Sequence, residues 1–404
     1  MTAPVIVVGA GPVGLAAALA LAAERVPVTV LEAEQAGVRK EWRGSTLHPP
    51  TLALLDRVGA AADAVAHGVR VDRLQFRDLQ LPDRATFDYG VLEGRTPFPF
   101  RVQYEQYKLL RRLRDLAEAS PDVDLRQEHR VVGLTGAEDG ATAATVTLAG
   151  GSRLTAPYVV AADGAHSALR KLAGIGFPGD TYPSQSLVAA TPFPFEDAVD
   201  DLGPVSYWSG PRGRLSLIRT PDVWRVAIST TAATDGGAPA AGAEGPHPEL
   251  ADALDLLVGD RSWARDPLQQ HQFYRSHQRV ADRFRAGRLL LAGDAAHLSS
   301  TTGGMGLNSG VHDAFDLAAR LGPALRAGGD GHAAADAYAA ARRDAAVRVV
   351  QPATRTVRAG VDATARDARL ARLRDLAATA ADPAAGTRHL SALSMLDAVE
   401  GVSR

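Results

Sequence analysis

At its ninth residue the chain enters the pattern Gly9-x-Gly11-x-x-Gly14, set between the β-branched run Val5-Ile6-Val7-Val8 and the Ala/Leu-rich stretch Leu15 to Glu24. The chemistry that fits such a place is nucleotide binding. Gly9 permits a tight turn, Gly11 lets the backbone approach a pyrophosphate, and Gly14 lets helix and strand pack closely. The helix that follows offers unpaired N–H groups and the positive end of its dipole to phosphate. An acid is also needed about twenty residues on, to hold ribose hydroxyls. Glu32 stands 18 residues past Gly14 and ends the run Val28-Thr29-Val30-Leu31. Strand, glycines, helix, strand and acid in that order predict a βαβ unit. A carboxylate at Glu32 favours an unphosphorylated ribose, so the expected nucleotide is FAD or NAD.

Two further stretches carry residues of the same kind. Asp163-Gly164-Ala165-His166-Ser167-Ala168-Leu169-Arg170 follows the apolar run ending at Ala162; taken alone, an Asp-Gly after a strand is an ordinary turn signal. Gly293-Asp294-Ala295-Ala296-His297 follows Leu289-Leu290-Leu291-Ala292. A strand there would deliver Asp294 to a sheet end, where its carboxylate can accept hydrogen bonds from a ribityl or ribose chain. A second glycine-rich loop, Gly303-Gly304-Met305-Gly306-Leu307-Asn308, then leads into a helix expected over Val311 to Leu321, whose N-terminus can stabilise negative charge on a bound ring. No Gly-Lys-Ser/Thr follows, which excludes a P-loop.

Together, GxGxxG near the N-terminus, DGxxSxxR near the middle and GDAAH with GxGxN in the C-terminal half resemble the group A flavin-dependent aromatic hydroxylases of the para-hydroxybenzoate hydroxylase type. The resemblance runs from about Val5 to Arg355 and is most specific in the third motif. It implies a single-component FAD monooxygenase of α/β (α+β) class: a Rossmann-like FAD-binding domain, an inserted β-sheet substrate domain and a C-terminal helical region. Gly9, Gly11, Gly14 and Glu32 would bind the ADP half of FAD. Arg43, in Trp42-Arg43-Gly44-Ser45, would lie near the FAD pyrophosphate and the pyridine nucleotide. Gln103, in Val102-Gln103-Tyr104-Glu105-Gln106, would contact the flavin's linker. Asp163 and Gly164 would serve both FAD and NAD(P)H, Asp294 would hold the ribityl, and Gly304, Met305, Gly306, Leu307 and Asn308 would approach the isoalloxazine. In such enzymes NADPH or NADH reduces FAD, O₂ adds as a flavin C4a-hydroperoxide, and one oxygen passes to an electron-rich ring. The chain departs from the pattern at Ser299-Ser300-Thr301-Thr302, where many members have Pro-Pro before Thr-Gly.

With the flavin carrying the chemistry, neither a nucleophile nor a triad is expected. Side-chain candidates for a direct role are His48, Arg43 and Thr301, with His48 and His271 able in principle to deprotonate a phenol. Tyr207, Arg219 and Trp224, from the β-rich block 185–231, are candidate substrate contacts. His297 reads as structural. No metal-ligand spacing is present, so no metal is expected.

The elements that must position these residues follow from the same patterns. Thr51 to Val58 and Tyr104 to Glu118 read as helices. Stretches 73–100, 123–134, 143–149 and 157–162 read as strands and turns. Residues 232–248 (AATDGGAPAAGAEGPHP) read as a surface loop. The chain beyond Val311 is mostly helical, with the arginine run 342–374 expected as a solvated face paired with nearby acids. The expected division is an FAD domain from 1–72, 98–176 and 280–340, a substrate domain from 73–97 and 177–279, and a helical region over 341–404.

Composition bounds the alternatives. A length of 404 residues fits two or three domains around a shared site. A net charge of −2 lacks the basic surplus of a general nucleic-acid binder. There is no cysteine, which excludes disulfide scaffolds, thiol nucleophiles and iron–sulfur sites and accords with a cytoplasmic setting. Only three of the 44 basic residues are lysine (Lys40, Lys108 and Lys171), a bias of GC-rich coding, associated with actinobacterial-type sources and secondary metabolism. Val5 to Ala23 is apolar enough to suggest a membrane span, but Gly9, Gly11, Pro12 and Gly14 interrupt it and no basic flank precedes it, so no stable membrane insertion is expected. The expected partners are a small aromatic substrate and O₂, with the chain a monomer or a homodimer. Rival readings are the same cofactor cycle used for Baeyer–Villiger insertion, epoxidation or oxidative rearrangement, a geranylgeranyl-reductase-like enzyme, and a non-catalytic flavoprotein. A flavin halogenase is disfavoured by the lack of a Trp-x-Trp-x-Ile-Pro stretch.

Overall fold

A computed structural model of the chain describes residues 3–35, 37, 44–230, 247–265, 268–301, 303–361 and 364–399, with the side chains of 269–272 and 357–361 outside that description. Arg43, the side chain of His271 and most of the glycine-rich stretch 232–248 lie outside the described residues.

The first sheet has six strands, in the order Arg285–Ala286, Leu289–Leu291, Val159–Ala161, Val5–Val8, Val28–Leu31, Val123–Arg126. All neighbours are parallel except the edge hairpin Arg285–Ala286 with Leu289–Leu291. Val5 to Val8 are buried throughout, as expected of a central parallel strand covered on both faces. The helix Pro12–Ala23 has Pro at its first position and no polar stripe, and Gly14 through Leu21 are all buried. A helix apolar all round must be covered all round, and here the sheet, the helix Gln106–Ala119 and the long helix Met305–Arg326 cover it. The apolar N-terminal stretch is therefore core strand and core helix; among the described residues no helix is long and apolar enough to cross a membrane. Each fully buried Leu or Val here contributes about 1.5–3 kcal/mol.

The second sheet has eight strands, ordered His297–Leu298, Gln269–Val280, Gly179–Thr191, Trp224–Thr230, Gly213–Arg219, Val205–Gly210, Arg73–Asp78, Arg84–Asp88. Only Val205–Gly210 with Arg73–Asp78 runs parallel. Alternation gives it two different faces. Trp208, Leu215, Leu217, Trp224, Val226 and Ile228 form an outer core with the helix Pro248–Val258. Phe76, Val205 and Tyr207 face the other way, onto Met305 and the C-terminal helices. A small three-stranded sheet, Thr46–Leu47, Arg101–Gln103 and Val69–Val71, adds a further layer.

Two expectations change. The helix expected from Val311 begins at Met305 and runs to Arg326. Its first turn carries Gly306 and Asn308, both weak helix formers, and is held by tertiary bonds from Asn308, described below. The arginine run is not simply a solvated face. Arg342 and Arg369 are 2% and 3% exposed, each paired with a buried acid: Arg342 with Asp313 and Arg369 with Asp78, both at 2.7 Å. Arg348 keeps the expected exposed arrangement, paired with Asp344.

Candidate nucleotide and substrate site

The three loops singled out in the sequence converge at the ends of adjacent parallel strands. Gly9 has φ +103°, and a Cβ on it would stand 2.5 Å from the Ala162 carbonyl oxygen, so only glycine lets the first loop close on the second. Gly11 faces open space, with nothing within 4 Å of where its Cβ would be. It caps a helix whose first N–H groups have no intrahelical partner. Glu32 is fixed at the mouth of this loop: one carboxylate oxygen accepts from Ala10 N at 2.7 Å, the other from Glu34 N at 2.9 Å.

In the second loop, one oxygen of Asp163 accepts from Ala168 N at 2.7 Å and Leu169 N at 3.2 Å. Its other oxygen is buried without a hydrogen-bond partner. Ser167 caps the short helix Ala168–Leu172 by accepting from Arg170 N. Arg170 reaches across, donating to Ala295 O at 2.9 Å and stacking over Phe177. Ser167 thus shapes the second loop and Arg170 holds it to the third.

The third loop turns at Gly293, φ +60°, packed on Val13 of the first motif. Gly293 N donates to one oxygen of Asp313, which also accepts from His297 Nε2 at 2.7 Å, while the other oxygen takes Arg342 Nε. Burial alone would raise the Asp313 pKa, but the neighbouring His297 and Arg342 hold it below the ordinary carboxylate value. Asp294 projects exposed from the tip of this fixed loop. The histidine read as structural is buried and serves that role; Asp313 and Arg342 were not singled out from sequence.

Gly303 and Gly304 are both left-handed, φ +88° and +69°, and a Cβ on Gly304 would lie 2.9 Å from Thr46 Cβ. Asn308 is fully buried: its amide donates to Thr46 O and Gly304 O and its oxygen accepts from His48 N. Met305 is buried in the apolar cluster against the C-terminal helices. Neither side chain is open to a ligand, which leaves the first-turn N–H groups as the polar face of this helix end.

Gln103 is fully buried. Its oxygen accepts from Ser45 Oγ at 3.1 Å and Thr46 Oγ1 at 3.0 Å, and its amide nitrogen has no partner. Ser45 Oγ also accepts from Arg225 Nη1 at 2.9 Å, which ties the eight-stranded sheet to this corner. His48 is buried, with Nε2 at 3.0 Å from Gly303 O. A carbonyl can only accept, so Nε2 carries the proton and Nδ1 is bare and unpartnered. Burial first, and the Arg101 charge second, push its pKa well below the usual value. His48 thus joins the Gly303 loop to the helix Pro49–Asp56 that it caps.

Of the other candidates, Thr301 Oγ1 shares a hydrogen bond with the Tyr274 hydroxyl at 3.2 Å. Tyr207 lies on the inner face, 5.6 Å from the Phe76 ring. Trp224 sits in the outer core and donates to Glu196 at 2.6 Å. Arg219 lies 3.8 Å from the same Glu196. The structure thus brings Tyr207 toward the loops and sets Trp224 on the far face, with Arg219 beside it.

The residues present fit a dinucleotide. The open cradle at Gly11, the anchored acid Glu32, the free oxygen of Asp163 and the unpaired amide of Gln103 supply the space, acceptors and donor that a pyrophosphate, sugar hydroxyls and a flavin offer partners for. Among the described residues no cluster of His, Cys, Asp or Glu could hold a metal ion.

Comparison with known proteins identifies the family. The family model of the FAD binding domain matches residues 2–353. The chain is 33% identical over 362 residues to 6-hydroxy-3-succinoylpyridine 3-monooxygenase of Pseudomonas putida, covering 86% of each chain. It is 33% identical to para-nitrophenol 4-monooxygenase of a Pseudomonas species over 78% of this chain and 77% of the relative. The crystal structure of p-nitrophenol 4-monooxygenase PnpA from Pseudomonas putida superposes with a TM-score of 0.85 at 26% identity, covering 97% of this chain and 98% of that one.

Proposed function

The chain belongs to the FAD binding domain family, among the group A flavin-dependent aromatic hydroxylases, and on that premise we propose that it uses NADPH or NADH and O₂ to hydroxylate a small phenolic ring. The observation that carries the reading is the convergence of three strand-end loops, with Gly9 against Ala162 and Gly293 against Val13. A nucleotide laid along one loop would meet the other two.

When bound, FAD accepts reducing equivalents from NAD(P)H and activates O₂ for transfer of one oxygen atom to the ring. The chain's residues bind, orient and exclude water. Gly9, Gly11, Gly14 and Glu32 would hold the ADP half, with the pyrophosphate at the N-terminus of helix Pro12–Ala23. Asp163, with its unpaired oxygen, would accept from a sugar or linker hydroxyl, and Asp294 from the ribityl chain. Gln103 would donate its unpaired N–H to the flavin side. The first turn of helix Met305–Arg326 would place its N–H groups and dipole against negative charge on the ring system. Phe76, Tyr207 and Met305 line an apolar side that keeps water out, which matters because an activated oxygen species exposed to water is lost as peroxide.

We read residues 1–72, 98–176 and 280–340 as the FAD-binding unit, 73–97 and 177–279 as the substrate unit, and 341–404 as the helical wall behind it. The absence of cysteine supports a cytoplasmic setting. The test is direct. Purified protein should carry FAD, and its NADH or NADPH oxidation should accelerate with a phenol that emerges carrying one atom from ¹⁸O₂. Pyridine-nucleotide oxidation that no phenol stimulates would overturn the proposal.

A further inference from the structure

Arg101 is the largest fully buried side chain in the described structure. Its Nη2 donates to the Leu393 carbonyl at 3.4 Å and the Tyr89 hydroxyl lies beside the guanidinium; Nε and Nη1 have no partner in hydrogen-bond geometry. The other deeply buried arginines are satisfied differently. Arg342 and Arg369 each hold a carboxylate at 2.7 Å, and Arg288 reaches two carbonyl oxygens. A guanidinium offers five donors and is charged, and burying it unpaired is costly. A buried cation with two open nitrogens and no acid is the reverse of what stability alone would select.

Its surroundings are short of acids and rich in unused polar atoms. The Tyr89 ring lies 5.3 Å from the guanidinium carbon, its hydroxyl stands beside Ser394 and Arg101, and Nδ1 of His48 and Nε2 of His389 are buried without partners. The strongest charges acting on His48, Tyr89 and His389 come from Arg101, Arg372 and neighbouring histidine and tyrosine rings, with no carboxylate among them. Arg372, itself mostly buried, has its guanidinium 5.8 Å from the Phe76 ring. The region between the inner sheet face and the C-terminal helices is therefore apolar in its packing and positive in its field.

Its position follows from strand geometry. Arg101 and Gln103 are two apart on one strand, so their side chains leave the same face about 7 Å apart. Gln103, with its unpaired donor, sits against Ser45 and Thr46, and Arg101 stands one step further along, beside Tyr89. We propose that Arg101, with the Tyr89 hydroxyl, anchors an anionic oxygen group of the aromatic substrate, a carboxylate or a phenolate. This rests on the monooxygenase reading above and names the class of ring it takes. An anionic oxygen would take one of the two open N–H groups in a charge-assisted hydrogen bond. Fixed at Arg101, it would orient the ring against the flavin corner.

The test uses FAD-loaded enzyme and two matched probe pairs: 4-hydroxybenzoate with 4-hydroxybenzamide, and 4-nitrophenol, above its pKa, with 4-nitroanisole. Binding is measured by calorimetry and turnover by product formation. The wild type should bind at least one anion about tenfold or more tighter than its neutral twin, and Arg101→Met should abolish that preference while retaining FAD. Which pair responds tells carboxylate from phenolate. Should Arg101→Met fail to fold, Tyr89→Phe, which removes only a hydroxyl, should weaken the anion a few-fold and leave the neutral twin unchanged. Equal binding of both members of both pairs by the wild type, or a preference that survives both substitutions, overturns the anchor even if phenols are hydroxylated. An anion preference lost with Arg101 in a protein that oxygenates no ring sustains the anchor and removes the monooxygenase reading instead.

Discussion

Asp313 and Arg342 form an ion pair at 2.7 Å with neither side chain open to solvent, and the other oxygen of the same Asp313 holds the N–H of Gly293. The loop that presents Asp294 is thereby braced through Asp313 from the helix His332–Ala345, whose Arg342 lies 29 residues beyond Asp313. Breaking a buried pair from one side leaves an uncompensated charge and costs about 3–5 kcal/mol. Arg342→Met should lower the unfolding free energy in urea by that amount and speed FAD loss, as followed by flavin fluorescence. A variant as stable and as tightly flavinated as wild type would show that the pair does not brace the loop.

The two glycines of the first loop should respond differently. Gly9→Ala meets the Ala162 carbonyl and an unfavourable φ, so it should destabilise the apoprotein itself, by about 1–3 kcal/mol. Gly11→Ala meets nothing within the chain, so apoprotein stability should stay within about 0.5 kcal/mol while FAD affinity falls. Thermal unfolding of apoprotein together with FAD titration separates the two, and a Gly11→Ala variant that binds FAD normally would remove the cradle assignment.

Asp294 is exposed on a loop held by other residues. Asp294→Ala should weaken FAD about tenfold or more, the loss of a charge-assisted hydrogen bond. Equilibrium dialysis of FAD measures it, and unchanged affinity would strike Asp294 from the site.

Stability should also fall as the solution is acidified from neutrality. Burial lowers the folded-state pKa of His48 well below the ordinary value and that of His312 to about 3, whereas both titrate near 6.5 once unfolded. Below about pH 6.5 the unfolded chain binds protons that the folded chain refuses. The stability is therefore full above that pH and declines beneath it, by up to about 1.4 kcal/mol per pH unit for each histidine. Asp313, with a lowered folded pKa, acts in a separate and more acid window, below about pH 4. Urea titrations from pH 7.5 to 4.5 should show the slope, and His312→Gln should reduce it. A flat profile would contradict the neutral buried state of both rings.

The two faces of the large sheet should separate substrate residues from packing. Arg219→Ala, on the Glu196 side, should leave KM unchanged, whereas Tyr207→Ala, on the inner face, should raise it several-fold. Steady-state kinetics decide, and a KM change at Arg219 matching that at Tyr207 would place the substrate elsewhere.

What could be read from sequence was whatever is local. Val5–Val8, the glycines and Glu32 lie within one βαβ unit, and each signals through its own neighbours. The start of helix Met305–Arg326 escaped because Gly306, Ser309 and Gly310 are poor helix formers; Asn308 secures the turn through Thr46 and His48, some 260 residues away. Arg342 and Arg369 looked solvated because their acids are distant, with Asp78 lying 291 positions from Arg369. Trp224 and Tyr207 are alike as aromatic residues in strands, and only the register sends one outward and the other in. Arg101 carried one faint signal, a charge between Phe100 and Val102, whose meaning depends on the absence of an acid in three dimensions.

The tail is joined to the rest at both working corners, by Arg342 on Asp313 and by the Leu393 carbonyl on Arg101. Chimeras that swap this segment among relatives would thus move the brace on the Asp294 loop and the packing around Arg101 as one cassette. Grafts cut near residue 340 would keep both couplings only where the recipient already has an acid at position 313 and a cation at 101.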